Sequence, residues 1–191
     1  MLYDLIYKTR SYRNFKSSVK YSKEQIEDII NLCRFTPSTA NKQSVKFAFA
    51  CDDELCGKVF PLLHWAGYLS EKPPYNGNVP TAYILLCCDL NIAENPIEID
   101  VGICAQTIVL GAMEQGIGAC MIGSFDKKKM SNLFGLSDNL YPRLIIALGE
   151  PNEKIVITDI KDGDIKYYRD EDKTHYVPKR TLEELIIKHN K

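Results

Sequence analysis

Residues 97–115, IEIDVGICAQTIVLGAMEQ, constrain the fold more than any other stretch of the chain. Their spacing predicts a helix that is apolar on nearly every side. A helix without a broad polar face belongs in the middle of a protein or at a subunit interface. Gly102, Ala105, Gly111 and Ala112 let another backbone come close to it. Just upstream, Ala82 to Cys88 (AYILLCC), stopped by Asp89, reads as a fully buried central strand. This run is far shorter than the roughly 20 residues a membrane-spanning helix needs.

The rest of the chain supplies layers for that core. Ser22 with Gln25 forms a capping-box start, and Ile26, Ile29, Ile30 and Cys33 place one apolar stripe on a helix over 23–34 that Pro37 ends. Val45, Phe47, Phe49 and Cys51 alternate as a half-buried strand, and 53–63 reads as helical. Residues 119–122 form a short strand, Asp126 caps a helix to about Phe134, and LYPRLIIALG is another strand. Ile155–Asp159 and Ile165–Arg169 flank Asp162-Gly163, a hairpin signal. Thr181 with Glu184 opens a final helix. Strands and helices mix without regular alternation, so the class is α+β. No repeat or linker interrupts the chain, and residues 1–191 are expected to form a single domain.

An apolar share of 45% and a charged share of 26% exclude disorder and coiled coil. Seven cysteines, mostly inside apolar runs, resemble buried thiols of a reducing compartment, not a secreted disulfide frame. The opening MLYDLIYKTR is broken by Asp4 and does not read as a signal peptide. A soluble, cytoplasmic protein is expected, with no membrane partner. The net charge of −1 argues against nucleic acid as a partner. The charge is uneven: Lys8, Arg10, Arg13, Lys16 and Lys20 face only Asp4 near the start, and Lys179, Arg180, Lys188 and Lys191 outnumber Glu183 and Glu184 near the end. If the fold joins the two ends, they form one cationic site sized for a phosphate.

Several familiar sites fail on spelling. Gly116-Ile-Gly118 lacks the third glycine of a dinucleotide fingerprint, because position 121 is Met. Gly118 to Gly123 has Walker-A spacing but is followed by Ser124. No G-x-S-x-G, C-x-x-C or H-E-x-x-H occurs, and His64, His175 and His189 lie far apart, so no metal is expected. Three segments remain. Arg10-Ser11-Tyr12-Arg13 offers two guanidiniums suited to forked contacts. Pro37-Ser-Thr-Ala-Asn41-Lys-Gln43 is a polar loop between a helix and a strand. Gly116 to Ser124 carries a glycine-rich backbone past the end of a strand.

In order, these segments resemble the FMN-dependent nitroreductase family over nearly the whole chain. The family's Arg-Arg-Ser-x-Arg-x-Phe opening is matched by Thr9 to Phe15, and its Pro-Ser-x-x-Asn-x-Gln loop by Pro37 to Gln43. Its Asp-x-Gly-x-x-x-Gln helix is matched by Asp100 to Gln106, its Gly-Leu-Gly-like turn by Gly116 to Gly118, and its Leu-Gly-x-Pro segment by Leu148 to Pro151. Lys179-Arg180 matches the basic pair before a Leu-Glu-Glu helix. The resemblance implies a three-layer sandwich, a central mostly antiparallel sheet flanked by helices. It implies FMN, with Arg10, Lys179 and Arg180 at the phosphate, Ser11 and Arg13 by the ribityl chain and the N1/O2 ring edge, and Met121, Ile122, Gly123 and Ser124 along the ring. Pro37, Ser38, Thr39 and Asn41 would reach the cofactor from the partner of a homodimer. The implied chemistry is ping-pong transfer from NAD(P)H through flavin N5 to nitroaromatic, quinone-like or related acceptors, with no side chain required as catalytic acid or base.

Departures from the family pattern leave other readings open. Thr9 replaces the first arginine, Ser44-Val45 stands where many relatives have Pro-Trp, and Gly123 stands where some carry glutamate. Leu69 to Pro80 is a short candidate lid. Within the same fold the alternatives are a narrow-substrate dehydrogenase or dehalogenase and a protein that stores FMN without turnover. Vicinal Cys87 and Cys88 are expected to point to opposite faces of their strand.

Overall fold

The apolar run becomes strand β3 (Ala82–Asp89), and its alternation divides the molecule into layers. Ala82, Ile84, Leu86 and Cys88 face a cluster with Ile26 and Ile29 of α2 (Lys23–Asn31) and with Ala105, Ile108 and Ala112 of α4 (Glu98–Glu114). Tyr83, Leu85 and Cys87 face the opposite cluster, with Cys56 and Val59 of α3 (Asp53–Val59) and Met130 of α5 (Lys127–Leu133). Each fully buried Ile or Leu contributes about 1.5–3 kcal/mol. Neighbouring Cys87 and Cys88 therefore belong to different layers, as period-2 geometry demands.

The computed structural model describes residues 1–188, so His189 and Lys191 lie outside the described residues. Beside β3 run β2 (Val45–Ala50) on one edge and β5 (Leu140–Pro151) on the other. Next to β5 lie β4 (Gly118–Ile122) and the two-residue β1 (Phe15–Lys16), and all these pairings are antiparallel. The β3–β5 register shifts between Leu86 and Cys87, opposite Pro142, where a residue without an N–H sits at an irregularity. Helices cover both faces of this sheet, giving an α+β sandwich. No described helix is long and apolar enough to cross a membrane.

The predicted caps form. Ser22 and Gln25 complete a capping box, Asp126 accepts from the Lys129 N–H, and Thr181 and Glu184 box the start of α6 (Leu182–Leu185). The helix expected over 23–34 tightens after Asn31 into a 3-10 turn, Leu32–Phe35. α1 (Leu2–Lys8) has no counterpart in the sequence reading.

The expected hairpin is corrected. Asp162 and Gly163 do form a tight turn with positive φ (50° and 75°), closed by the Asp164 N–H on the Lys161 carbonyl at 2.9 Å. The flanking segments do not pair with each other. The Asp164 carboxylate accepts from the Lys166 N–H at 2.9 Å and bends the chain away. β6 (Ile155–Asp159) instead pairs in parallel with β8 (His175–Lys179), and β7 (Tyr168–Arg169) pairs with the other edge of β8, where Tyr168 stacks on Tyr176 at 5.0 Å.

Two facing glycines seat the N-terminal segment. At Gly149 a Cβ would lie 2.7 Å from the Phe15 ring, and at Gly118, its cross-strand partner, 2.7 Å from Pro151 and 3.0 Å from Tyr12. With Tyr12 and Phe15 laid on this bare backbone, Ser11 bridges Ala119 and the Tyr12 N–H donates to the Ala119 carbonyl at 2.9 Å.

Candidate functional site

That placement brings the two ends of the chain together. A cleft of about 360 Å3 is walled by Thr9, Arg10, Ser11 and Arg13, by Gln106 and Val109 one helical turn apart on α4, and by Ala119 and Met121 on one face of β4. Its far wall is one face of β8, His175, Val177 and Lys179, with Tyr167 alongside. Strand alternation puts exactly these i, i+2, i+4 positions on one side. Arg10, Arg13 and Lys179 face the cleft, and no carboxylate among the described residues lines it.

The cations are held differently. Arg10 donates to the Ile6 carbonyl at the end of α1 at 2.7 Å, while its Nε is buried without a partner among the described residues. Arg13 is fixed on three sides. Its Nη1 donates to the Ser11 carbonyl at 3.1 Å, contacts His175 Nε2 at 3.1 Å, and its guanidinium lies 4.7 Å from the centroid of the Tyr167 ring. Only a neutral imidazole can accept from an arginine. Burial, with the charges of Arg13 and Arg169 nearby, holds His175 down at about 4.

Beneath the cleft, Glu153 ties the N-terminal segment to the second sheet. Its carboxylate accepts from the backbone N–H groups of Arg13 and Asn14 and pairs with the Arg169 guanidinium; the two side chains are 2% and 7% exposed.

His175 titration has a consequence for stability. Because the folded value lies below the usual 6.5, the unfolded chain binds the proton first. The contribution is complete above 6.5 and is lost as pH falls toward 4. His175→Gln keeps an acceptor for Arg13 and removes the titration, so its unfolding free energy should show a shallower acid slope between pH 6.5 and 4. Parallel pH profiles in urea melts check this.

The other candidates lie elsewhere in the chain. Ile122 is buried under the sheet, and Gly123 and Ser124 are exposed just past β4, where the Ser124 carbonyl accepts from the His64 N–H at 3.0 Å. Arg180 is outside the cleft, bonded to Glu184 at 3.1 Å beside a groove that Arg10 and Lys179 also border. Pro37, Ser38, Thr39 and Asn41 do not line the cleft either. Their loop is pinned by Asp100, whose Oδ1 accepts from the Thr39 N–H at 2.9 Å and hydroxyl at 2.8 Å. Ala40, Asn41 and Gln43 hold φ of 50°, 54° and 52°, strained values for residues with side chains. The Leu69–Pro80 loop is anchored: Tyr75 N–H donates to Asn14 Oδ1 at 3.1 Å, and Glu71 pairs with Lys173.

Sequence reasoning missed Gln106, Tyr167, His175, Val177 and Glu153. Gln106 was visible as a polar residue in an apolar helix, and period 2 runs back from Lys179 through Val177 to His175. Tyr167 and Glu153 carry no local signal.

The model of the Nitroreductase family matches residues 6–150. The chain is 25% identical over 162 residues to the "Putative NADH dehydrogenase/NAD(P)H nitroreductase" of Methanothermobacter thermautotrophicus, covering 81% of this chain and 80% of that protein. The crystal structure of a nitroreductase family protein from Streptococcus pneumoniae superposes with a TM-score of 0.69 at 19% identity, over 99% of this chain and 100% of that one. An FMN-dependent nitroreductase from Clostridium difficile gives 0.64 at 22% identity, over 78% and 87%.

Proposed function

The chain belongs to the nitroreductase family, and on that premise we propose that it is an FMN-dependent oxidoreductase that takes reducing equivalents from NAD(P)H and passes them, in alternating half-reactions, to nitroaromatic, quinone-like or related acceptors. The observation that carries this reading is the convergence of Arg10, Ser11 and Arg13 with Lys179 on one cleft. The M. thermautotrophicus relative's name supports the nicotinamide donor, and the C. difficile neighbour's name supports FMN.

The residues suit that cofactor. A cleft of about 360 Å3 is within the range of small-molecule sites. Among the described residues its cations have no lining carboxylate to neutralise them, and Arg10 Nε, without a partner there, is a donor suited to an anion. Arg10 and Lys179, with Arg180 near by, would hold the phosphate through charge-assisted hydrogen bonds. Ser11 would serve the ribityl hydroxyls, and Met121 would border the ring, with the exposed Gly123 and Ser124 just past the end of its strand. Arg13, held by Ser11, Tyr167 and neutral His175, would present a fixed positive charge to the N1/O2 edge. Preorganised charge of this kind stabilises negative charge as it develops, without reorganisation. When bound, FMN supplies the relay that accepts a hydride and gives it up again. The protein's own work is binding, orientation and exclusion of water, with no side chain assigned as acid or base.

The same reading includes a homodimer. Pro37, Ser38, Thr39 and Asn41 stand away from their own cleft, so they would complete that of a second copy. α1 buries none of its residues and exposes Leu2, Tyr3, Ile6 and Tyr7; α6 exposes Leu182 and Leu185, and Ile99 on α4 is 72% exposed. Isolated seven-residue helices are marginal in water, so these apolar faces favour a second chain as cover. Seven free cysteines fit a reducing compartment such as the cytoplasm.

Anaerobic mixing of the flavin-loaded protein with NADH or NADPH tests the activity. Rapid bleaching of the flavin's visible absorption, restored by a quinone or nitroaromatic, is expected. A bound flavin that neither nucleotide reduces would replace this reading with FMN storage.

A further inference from the structure

On the side of α4 away from the proposed cofactor cleft, the 3-10 turn Leu32–Phe35 packs so that Cys33 lies against Cys104. The Cys33 Sγ donates to the Cys104 carbonyl at 3.6 Å. The Thr36 hydroxyl, bonded to the Cys33 carbonyl at 2.8 Å, is 3.9 Å from the Cys104 Sγ. Both cysteines line a second cavity of about 490 Å3, bordered also by Phe47 and Phe49 of β2.

We propose that Cys33 and Cys104 form a peroxide-reactive dithiol site, with Cys104 the attacking thiolate and Cys33 the resolving thiol. The Cys104 thiolate attacks one peroxide oxygen, the O–O bond breaks, and the sulfur is oxidised to a sulfenic acid as the other oxygen leaves and takes up a proton as water. Cys33 then attacks that sulfur, the S–S bond forms, and the hydroxyl leaves as a second water after taking up the Cys33 proton. Two thiols and one hydrogen peroxide give one disulfide and two waters.

The surroundings single out this pair. The adjoining Cys33 thiol pulls Cys104 below the usual thiol value, against burial and with help from the Thr36 hydroxyl. Asp100, one helical turn earlier, opposes the thiolate; the other charged groups on the cavity wall are Glu27 of α2, Arg34 of the 3-10 turn and Lys46 of β2. Cys33 is pushed up by its contact with Cys104 and by burial, as a resolving thiol can be. Burial pushes Cys56 and Cys87 up to about 12 and Cys120 to about 11, and also raises Cys51 and Cys88. Thiolate character governs which cysteine reacts. Neither cysteine lines the cleft of its own chain, while Ser38 on this cavity's wall belongs to the loop proposed to reach the second copy's cleft.

The test treats the purified, reduced full chain with hydrogen peroxide near neutral pH, then alkylates, digests and weighs the peptides. The expected product has lost two alkylatable thiols per chain and links the Cys33 and Cys104 peptides. Cys33→Ser should stop at a sulfenic acid on Cys104, trapped by a cyclic 1,3-diketone, and Cys104→Ser should give neither product. In the unmodified protein, alkylation of Cys104 should reach its half-maximum at a lower pH than that of an ordinary thiol. A crosslink between other cysteines, seven thiols still alkylatable after peroxide, or a Cys104 midpoint at 9 or above would overturn the proposal.

Discussion

Glu153→Ala lowers the unfolding free energy by about 3–5 kcal/mol, the usual cost of breaking a buried ion pair by removing one partner. For a chain of this size that is a fall in melting temperature of roughly 6–20 °C. The effect is large because one carboxylate does three jobs. It neutralises Arg169, which is 7% exposed, and it satisfies the backbone N–H groups of Arg13 and Asn14. Deleting it takes the carboxylate from a buried guanidinium, which keeps only the Lys173 carbonyl at 3.1 Å, and the acceptor from two backbone N–H groups. Glu153→Gln retains an acceptor and should cost less than Glu153→Ala. Calorimetry on the two variants checks the order; a drop under about 2 °C for the alanine variant would show that Glu153 does not carry this load.

Arg13→Ala should weaken FMN binding by about 10- to 100-fold, as expected for loss of a hydrogen bond to a charged group worth roughly 1.5–3 kcal/mol. It should also make the bound flavin harder to reduce, since the positive charge proposed for the N1/O2 edge would disappear. The geometry behind this is specific. Ser11, His175 and the Tyr167 ring fix the guanidinium, so little freedom is lost on binding. Arg13→Lys restores the charge without the planar fork and should recover only part of the affinity. Unchanged affinity and reduction potential in Arg13→Ala would remove Arg13 from the site. The two substitutions separate stability from binding, because Glu153 supports the segment from below and Arg13 faces the cleft.

Much of the fold was legible because its signals are local. The β3 run and the all-round apolar α4 announce a central strand and a buried helix, and Ser22, Asp126 and Thr181 mark helix starts through their own side chains. The second sheet was not legible. Asp162-Gly163 specifies a turn correctly, but partner choice was decided by contacts that β8 makes with both β6 and β7. Of the residues that line the cleft, Arg10, Ser11, Arg13, Met121 and Lys179 were expected as cofactor contacts from the family resemblance, and the uneven charge already pointed to a meeting of the chain ends. Glu153 was hidden because its partners include Arg13, 140 residues earlier, and nothing near it in the chain reveals that contact. His175 stands in the sequence only as one of three histidines lying far apart; its place in the site depends on β8, whose alternation back from Lys179 is a weak signal without its partners β6 and β7.

The measurement that tests the central claim most directly is a titration of the flavin-free protein with FMN and with riboflavin, repeated on Lys179→Ala. The two ligands differ only in the phosphate that Arg10 and Lys179 are assigned to hold. The account predicts much tighter binding of FMN than of riboflavin, and a gap that narrows about tenfold or more in Lys179→Ala through loss of FMN affinity alone. Equal affinities for the two flavins, or equal losses for both in the variant, would contradict it.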